Sequence, residues 1–299
     1  MSTAIGVVLT EHIVAGRLED QKLTGGTLRF PADITELDAL ISIPGRELVG
    51  KMAEQIATLA KEAREPIEGI GVAVPGVVRH GVVEESPNLN QLKGMRLAED
   101  LTRVLKANGI EAPVHVANDA DAIAAGVAAT RGNLNKLTRV WTIGNGIGYG
   151  RWPSVEGVWE GGHVVVTLDQ KERYCGCGGV GHLEGIMGYR AMRMRFLDLE
   201  PEEVFANAKK GDKRCREFVD LWHRALAAAT ASFIHLAGPG RFYFTGHNVG
   251  FLELDLLRAH LETMVKMSPL LRYSLEKLEP DDETALIGAG VSALRALTW

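Results

Sequence analysis

One short stretch limits what this chain can fold into more than any other. Glu160-Gly-Gly-His163 is followed, after eleven residues, by Cys175-Gly-Cys177-Gly-Gly-Val-Gly-His182-Leu-Glu184. Glycines this dense leave the backbone with no preferred path, so the segment needs an external brace. Two thiolates and two imidazoles can supply it by closing a tetrahedron around one zinc ion. Four protein ligands leave no open coordination position, and the metal expected at His163, Cys175, Cys177 and His182 is therefore structural. The competing reading is two reduced cysteines in a flexible loop, against which the bracketing histidines argue.

At 299 residues the chain exceeds the size at which one hydrophobic core usually stops growing. Two lobes are expected, with a ligand cleft between them. Hydrophobic residues at 46% and charged residues at 24% describe an ordinary globular composition. A formal charge of -5 with no Lys/Arg block offers no field for nucleic acid or anionic lipid, so neither is expected as a partner. No apolar run approaches the roughly 20 residues that cross a bilayer. Met1-Ser-Thr-Ala-Ile-Gly-Val-Val-Leu lacks a basic start and a small-residue cleavage site, and reads as a first strand. Three cysteines, two claimed by metal and Cys215 left over, suit a reducing cytoplasm.

The periodicities alternate. Ile5 to Leu18 and on to Lys22-Leu23 reads as a hairpin, with strand-like residues continuing to Phe30. Leu48, Met52, Ile56 and Leu59 fall at helical spacing and predict a helix from about Arg46 to Arg64. Ile70-Gly-Val-Ala-Val-Pro75-Gly76 is a buried strand stopped by a Pro-Gly turn. Val114-His-Val-Ala117 runs into Asn118-Asp119 and an Ala-rich helix. Val140-Trp-Thr-Ile143 ends in the glycine-rich turn Gly144-Asn145-Gly146-Ile147-Gly148-Tyr149-Gly150. A long helix spans about Lys213 to Leu236, the strand Phe242-Tyr-Phe244 ends at Thr245-Gly246-His247, and a closing helix covers Ala285 to Leu297. Strands alternating with helices define the α/β class.

These residues resemble the ROK family, a bacterial group of sugar kinases, sugar-responsive repressors and relatives built on the two-lobed actin/hexokinase, or ribonuclease H-like, fold. The similarity runs from Ile70-Gly-Val-Ala-Val-Pro-Gly76 through Pro87-Asn88-Leu89, Val116-Ala-Asn118-Asp119-Ala-Asp-Ala and Thr142-Ile-Gly-Asn-Gly-Ile-Gly148 to the cysteine loop and Leu286-Ile-Gly-Ala-Gly290. His182 stands where the family usually has a third cysteine, an acceptable exchange for zinc. The resemblance implies a smaller lobe of residues 1–118 plus 285–299 and a larger one of 119–284 carrying the zinc loop. It implies a hexose held by Asn118, Asp119, Glu160, His163 and Glu184, with lobe closure excluding water. Asp119 would be the general base toward the attacking hydroxyl. His163 would give one ring nitrogen to zinc and the other to the sugar. Read alone, Asp119 is equally a helix cap after a strand, and Glu160 and Glu184 are surface carboxylates. Homo-oligomers, dimers or tetramers, are implied on the same footing.

The nucleotide side departs from the family pattern. The family's opening strand ends Asp-x-Gly-Gly-Thr, whose Asp organises Mg²⁺ and whose glycines wrap phosphate. Here the alignment puts Val8 at the Asp, Thr10 and Glu11 at the glycines and His12 at the Thr. Gly25-Gly26-Thr27 reads as a turn. The second phosphate loop keeps Gly144, Gly146, Gly148 and Gly150 with Asn145 for the usual Thr; a tight packing turn is the alternative reading. The adenosine-side glycine run is reduced to Gly246 between Thr245 and His247.

Three functions stay open. The first is a kinase transferring the ATP γ-phosphoryl group to a hexose or amino-sugar hydroxyl with Mg²⁺. The second is a kinase-derived sugar-binding protein without efficient ATP use. The third is another acid/base reaction on a sugar, using Asp119 with Glu160 or Glu184.

Overall fold

A computed structural model describes residues 2–297 except 34, 36, 37, 156 and 158. The chain divides into two compact units. One comprises residues 1–138, 150–158 and 281–299, the other residues 139–149 and 159–280.

The first unit is built on a five-stranded sheet. Its strands are β1 (Thr3–Leu9), β2 (Ile13–Glu19), β3 (Lys22–Phe30), β4 (Gly69–Val74) and β7 (Val114–Asn118), in the order β3-β2-β1-β4-β7. β1 runs parallel to β4, and β4 parallel to β7, while β2 and β3 are antiparallel additions. Every residue of β1 is buried, as a strand covered on both faces requires. Alternation sorts the side chains. Ile5, Val7 and Leu9 pack with α1 (Gly45–Lys61) and α2 (Leu97–Ala107), through Leu48, Met52, Ile56, Leu97 and Leu101. Val8 points the other way, onto Ala285, Leu286 and Ala289 of α9 (Asp282–Ala296).

That second face is made by close backbone approach. A Cβ on Gly6 would lie 2.1 Å from the Leu286 carbonyl oxygen, and one on Gly71 1.8 Å from that of Ala289. α3 (Asp119–Thr130) packs on α9 in the same manner, with Gly288 facing the Ala122 carbonyl oxygen at 1.6 Å from a would-be Cβ. By contacts α3 groups with the N-terminal sheet, where small residues dock it on α9. A small hairpin, β5 (Val77–Arg79) with β6 (Val82–Glu85), completes this unit. Gly25-Gly26-Thr27, expected as a turn, lies within β3 at a register irregularity opposite Gly16.

The second unit centres on the sheet order β11-β10-β8-β9: β8 (Thr138–Ile143), β9 (Ile147–Trp152), β10 (Arg241–Thr245) and β11 (Ser274–Lys277). Its helices are α4 (Leu183–Met187), α5 (Tyr189–Arg195), α6 (Pro201–Lys209), α7 (Lys213–Ala237) and α8 (Leu254–Met264). Trp141, Phe242 and Phe244 of the sheet and Trp222 and Leu226 of α7 share one core. Tyr149 stacks on Phe233 at 4.1 Å between ring centres and meets Trp141 at 4.9 Å. α7 opens on an Asp212 side chain that accepts the Cys215 N–H at 2.8 Å. Among the described residues no helix is long and apolar enough to cross a membrane.

Candidate functional site

The four predicted ligands converge within the second unit. His163 ends a single helical turn at Gly161–His163, and His182 immediately precedes α4. Leu183 N–H donates to the Val164 carbonyl at 3.0 Å and Val166 N–H to that of Gly181 at 2.8 Å, which zips the two arms together across the intervening excursion. The donor atoms then fall near the corners of a small tetrahedron, all within 4.8 Å of one another. His163 Nδ1 and His182 Nδ1 are 3.2 Å apart, Cys175 Sγ and Cys177 Sγ 3.4 Å, Cys175 Sγ and His163 Nδ1 3.6 Å, and Cys177 Sγ and His182 Nδ1 3.2 Å. Bonds of about 2.0–2.3 Å to one zinc place ligand atoms at such separations.

Charge supports the fit. Burial, the largest cause, pushes the Cys175 thiol up to about 12; the Cys177 backbone N–H opposes this, while the Cys177 thiol and Glu184 add to it, so a thiolate there needs a cation beside it. His182 is lowered by burial and then by His163, which favours the neutral imidazole a metal requires.

Two further residues hold this loop, and neither was singled out from the sequence. The Arg195 guanidinium grips the Glu172 carboxylate with both of its terminal nitrogens, Nη1 donating to Oε1 at 3.0 Å, and lies 4.4 Å from the Tyr174 ring centre. Glu172 in turn accepts the Gly181 N–H on its backbone carbonyl at 2.8 Å. An i, i+3 or motif signal could not have found this pair, because 23 residues separate its members.

Glu160, His163 and Glu184 are neighbours of the same loop. His163 turns Nδ1 to the ligand cluster and Nε2 toward the Glu160 carboxylate at 3.8 Å. Partial burial raises the Glu160 carboxyl; His163 opposes this and Glu184 adds to it. Glu184 Oε2 accepts the Ile147 N–H at 3.1 Å, while Oε1 faces Cys175 Sγ at 3.6 Å.

Asn118 and Asp119 belong to the first unit, at the junction of β7 and α3. Asn118 is the N-cap: its Oδ1 accepts from Ala120 N at 2.9 Å and Asp121 N at 3.3 Å. Its Nδ2 donates to the Gly76 carbonyl at 2.8 Å, clipping the Pro75-Gly76 turn to the helix start. Gly76 has φ +105, and a Cβ there would come 2.1 Å from the Glu85 carbonyl oxygen. One amide hydrogen of Asn118 lies outside these bonds. Asp119, the first residue of α3, shares the Ala120 N–H through its Oδ1 at 2.9 Å.

The glycine segments divide by role. Gly144 and Gly146 form the bend between β8 and β9, closed by Gly144 N–H donating to Gly146 O at 3.0 Å, whereas Gly148 and Gly150 are residues of β9. Gly150 serves packing, since a Cβ would lie 1.9 Å from the Ala120 carbonyl oxygen. Gly246, at φ +106, presses on Ile143, and Asn248 N–H donates to the Ile143 carbonyl at 2.9 Å. Gly144, Asn145, Gly146 and Gly246 are thus gathered around the end of β8.

The β1–β2 turn is closed on itself. Thr10 N–H donates to His12 O at 3.2 Å, and the His12 side chain is tucked in, with Nε2 2.9 Å from the Asp33 carbonyl oxygen. Val8 is a core residue. The turn consists of Thr10, Glu11 and His12, and its one carboxylate is that of Glu11.

The class defined by this fold and loop is an α/β protein of the actin-like type with a Cys/His knot. The solved ROK hexokinase from Thermus thermophilus is similar in structure, with TM-score 0.79, 23% identity and 99% of each chain covered. The family itself is shown by sequence: residues 37–295 match the ROK family, and the chain belongs to it. That match leaves out β1–β3 and their turns. A glucokinase from Pyrobaculum calidifontis is 28% identical over 243 residues, which cover 76% of this chain and 78% of that one. A kanosamine kinase from Amycolatopsis mediterranei is 29% identical over 209 residues, covering 66% and 67%.

Proposed function

We propose that this protein is a sugar kinase that transfers the γ-phosphoryl group of ATP to a hydroxyl of a hexose or amino sugar. The observation that carries this reading is the Cys/His knot with Glu160, His163 and Glu184 beside it, in a chain whose curated relatives include a glucokinase and a kanosamine kinase. Asn118, Asp119, Glu160, His163 and Glu184 are the proposed sugar ligands. Hydroxyls both donate and accept, and carboxylates with an amide and an imidazole meet them at several points, which discriminates between epimers. Asp119 is proposed to take the proton of the attacking hydroxyl. His163, Cys175, Cys177 and His182 are proposed to hold a structural zinc, for which their donor set and spacing fit.

ATP would supply the transferable phosphoryl group, and the bend at Gly144, Asn145 and Gly146 with Gly246 is the proposed nucleotide side. No role in Mg²⁺ binding is assigned to the β1–β2 turn, since Val8, at the position of the family's Asp, is a core residue. That same turn favours a second reading, a sugar-binding protein with little ATP use: Val8 is core, and the Thr10 amide is spent on His12. The thiol ligands fit a reducing compartment, and cytoplasmic location is proposed on that ground.

Calorimetry with a hexose and amino-sugar panel, followed by ATP with Mg²⁺ and a coupled turnover assay, tests both. Turnover with at least one sugar is the expected result. Sugar binding without nucleotide binding leaves the second reading, and no sugar binding by any member of the panel ends both.

A further inference from the structure

We propose that Glu184 is a positioning residue for the Gly144–Gly148 loop, so that the Cys/His knot seats the phosphate-side loop as well as the sugar side. This rests on the reading that the loop binds phosphate. Ile147 opens β9, and its N–H donates not to a strand partner but to Glu184 Oε2 at 3.1 Å. The carboxylate also lies against Gly146, where a Cβ would come 2.5 Å from Oε2, so residue 146 is small because Glu184 occupies that space. The neighbouring residues grip the same bend. Tyr189 N–H donates to the Gly144 carbonyl at 3.1 Å, and a Cβ on Gly188 would lie 2.9 Å from the Asn145 carbonyl oxygen. From the opposite arm, Gly162 approaches the Ile147 carbonyl so closely that a Cβ would be 2.0 Å from its oxygen.

The bend is therefore seated on both arms of the knot. Glu184 follows His182 by two residues and is the second residue of α4, which leaves little slack between the proposed metal and the loop. A loop whose amides must present themselves to phosphate gains from being held before the ligand arrives, since ordering it on binding would weaken affinity. A sugar hydroxyl donating to Glu184 meets a carboxylate already engaged with the loop, so sugar occupancy and loop order are linked through one side chain.

The test measures amide hydrogen exchange of Ile147 in the ligand-free, zinc-replete protein and in Glu184→Ala, Glu184→Asp and Glu184→Gln, with zinc content determined for each. Exchange is expected to quicken at least tenfold in the Ala and Asp variants, which lose the acceptor or its reach. In Gln, whose side-chain carbonyl still accepts, it should stay within threefold, and Trp141 in β8 should be unaffected throughout. Unchanged Ile147 exchange in any zinc-replete Ala or Asp variant overturns the proposal. Should the Ala variant fail to fold, the Asp variant decides alone, since it keeps the charge and shortens the reach. A parallel calorimetric titration with AMPPNP, without sugar, is expected to show at least tenfold weaker binding in the Ala variant. No AMPPNP binding by the wild type would sink the phosphate reading and leave the exchange result to judge the positioning role.

Discussion

His163 and His182 face each other through their Nδ1 atoms at 3.2 Å, with ring planes nearly perpendicular at 86°. Two neutral imidazoles could share one proton at that distance, but the same two nitrogens also lie 3.6 Å and 3.2 Å from the sulfurs of Cys175 and Cys177. Four soft or borderline donors crowding one point form the donor set that the proposed zinc would take.

Protein purified without chelator is accordingly expected to carry one zinc per chain by elemental analysis. Cys175→Ser and Cys177→Ser should each lower zinc retention and drop the unfolding midpoint by roughly 5 °C or more, as the loss of a metal-bound loop of this size implies. Wild-type protein without stoichiometric metal would refute the assignment.

Asp119→Asn should reduce kcat by about 10²–10⁴-fold, the usual worth of a general base, with sugar affinity within a few-fold of wild type. The conservative amide keeps an oxygen for the Ala120 N–H, so the start of α3 is retained. Steady-state kinetics alongside calorimetry separates the two effects, and undiminished turnover removes Asp119 from the proton transfer.

Glu11 presents a negative charge beside a turn whose family counterpart wraps phosphate. Removing that charge in Glu11→Gln is expected to lower the KM for ATP by about tenfold, or about 1.4 kcal/mol, at low ionic strength, with a smaller gain at high salt. A KM indifferent to the substitution would show that this turn lies outside the nucleotide's field.

Gly288→Ala places a methyl group 1.6 Å from the Ala122 carbonyl oxygen in the α3–α9 contact. Overpacking there should cost roughly 1–3 kcal/mol or more by urea denaturation. Gly50→Ala, in the body of α1 with open space around its would-be Cβ, should instead stabilise by about 0.4–1 kcal/mol. Equal effects at the two sites would contradict the packing described.

His223 is fully buried on α7, its Nδ1 donating to the Val219 carbonyl at 2.8 Å and its Nε2 accepting the Glu253 N–H at 2.9 Å. Burial, foremost, pushes its pKa below the ordinary 6.5. As pH falls through that value the unfolded chain takes up a proton before the native protein does, so stability declines on acidification, by at most about 1.4 kcal/mol per pH unit. Urea midpoints between about pH 5.5 and 7 in saturating zinc should show this slope in wild type and lose it in His223→Gln. An identical slope in both would mean that another group is titrating.

The parts legible in the sequence are those whose signal is local. Leu48, Met52, Ile56 and Leu59 recur at the helical period and line the buried face of α1. The run from Ile70 to Val74, entirely apolar, is a strand covered on both faces. Cys175 and Cys177, with the bracketing histidines, mark by residue type the four side chains that the structure gathers into one cluster. The same locality explains the misreading of Gly25-Gly26-Thr27: glycines suggest a turn, but the flanking pairs Arg17 with Thr24 and Ala15 with Leu28 carry β3 through them as an irregularity.

Residue type and periodicity by themselves determined the α/β class, the succession of elements and which Cys, His and acidic side chains to consider as candidates. Only the tertiary structure decided which partners those side chains keep. It assigned Asn118 to the Gly76 turn 42 residues away, Glu184 to the Ile147 amide 37 residues away, and Arg195 to Glu172. It also packed α3 on α9, where glycines let two backbones touch. The physical reason is that a hydrogen bond or a close backbone contact depends on where distant segments are carried by the fold, and periodicity along one segment contains no record of that placement.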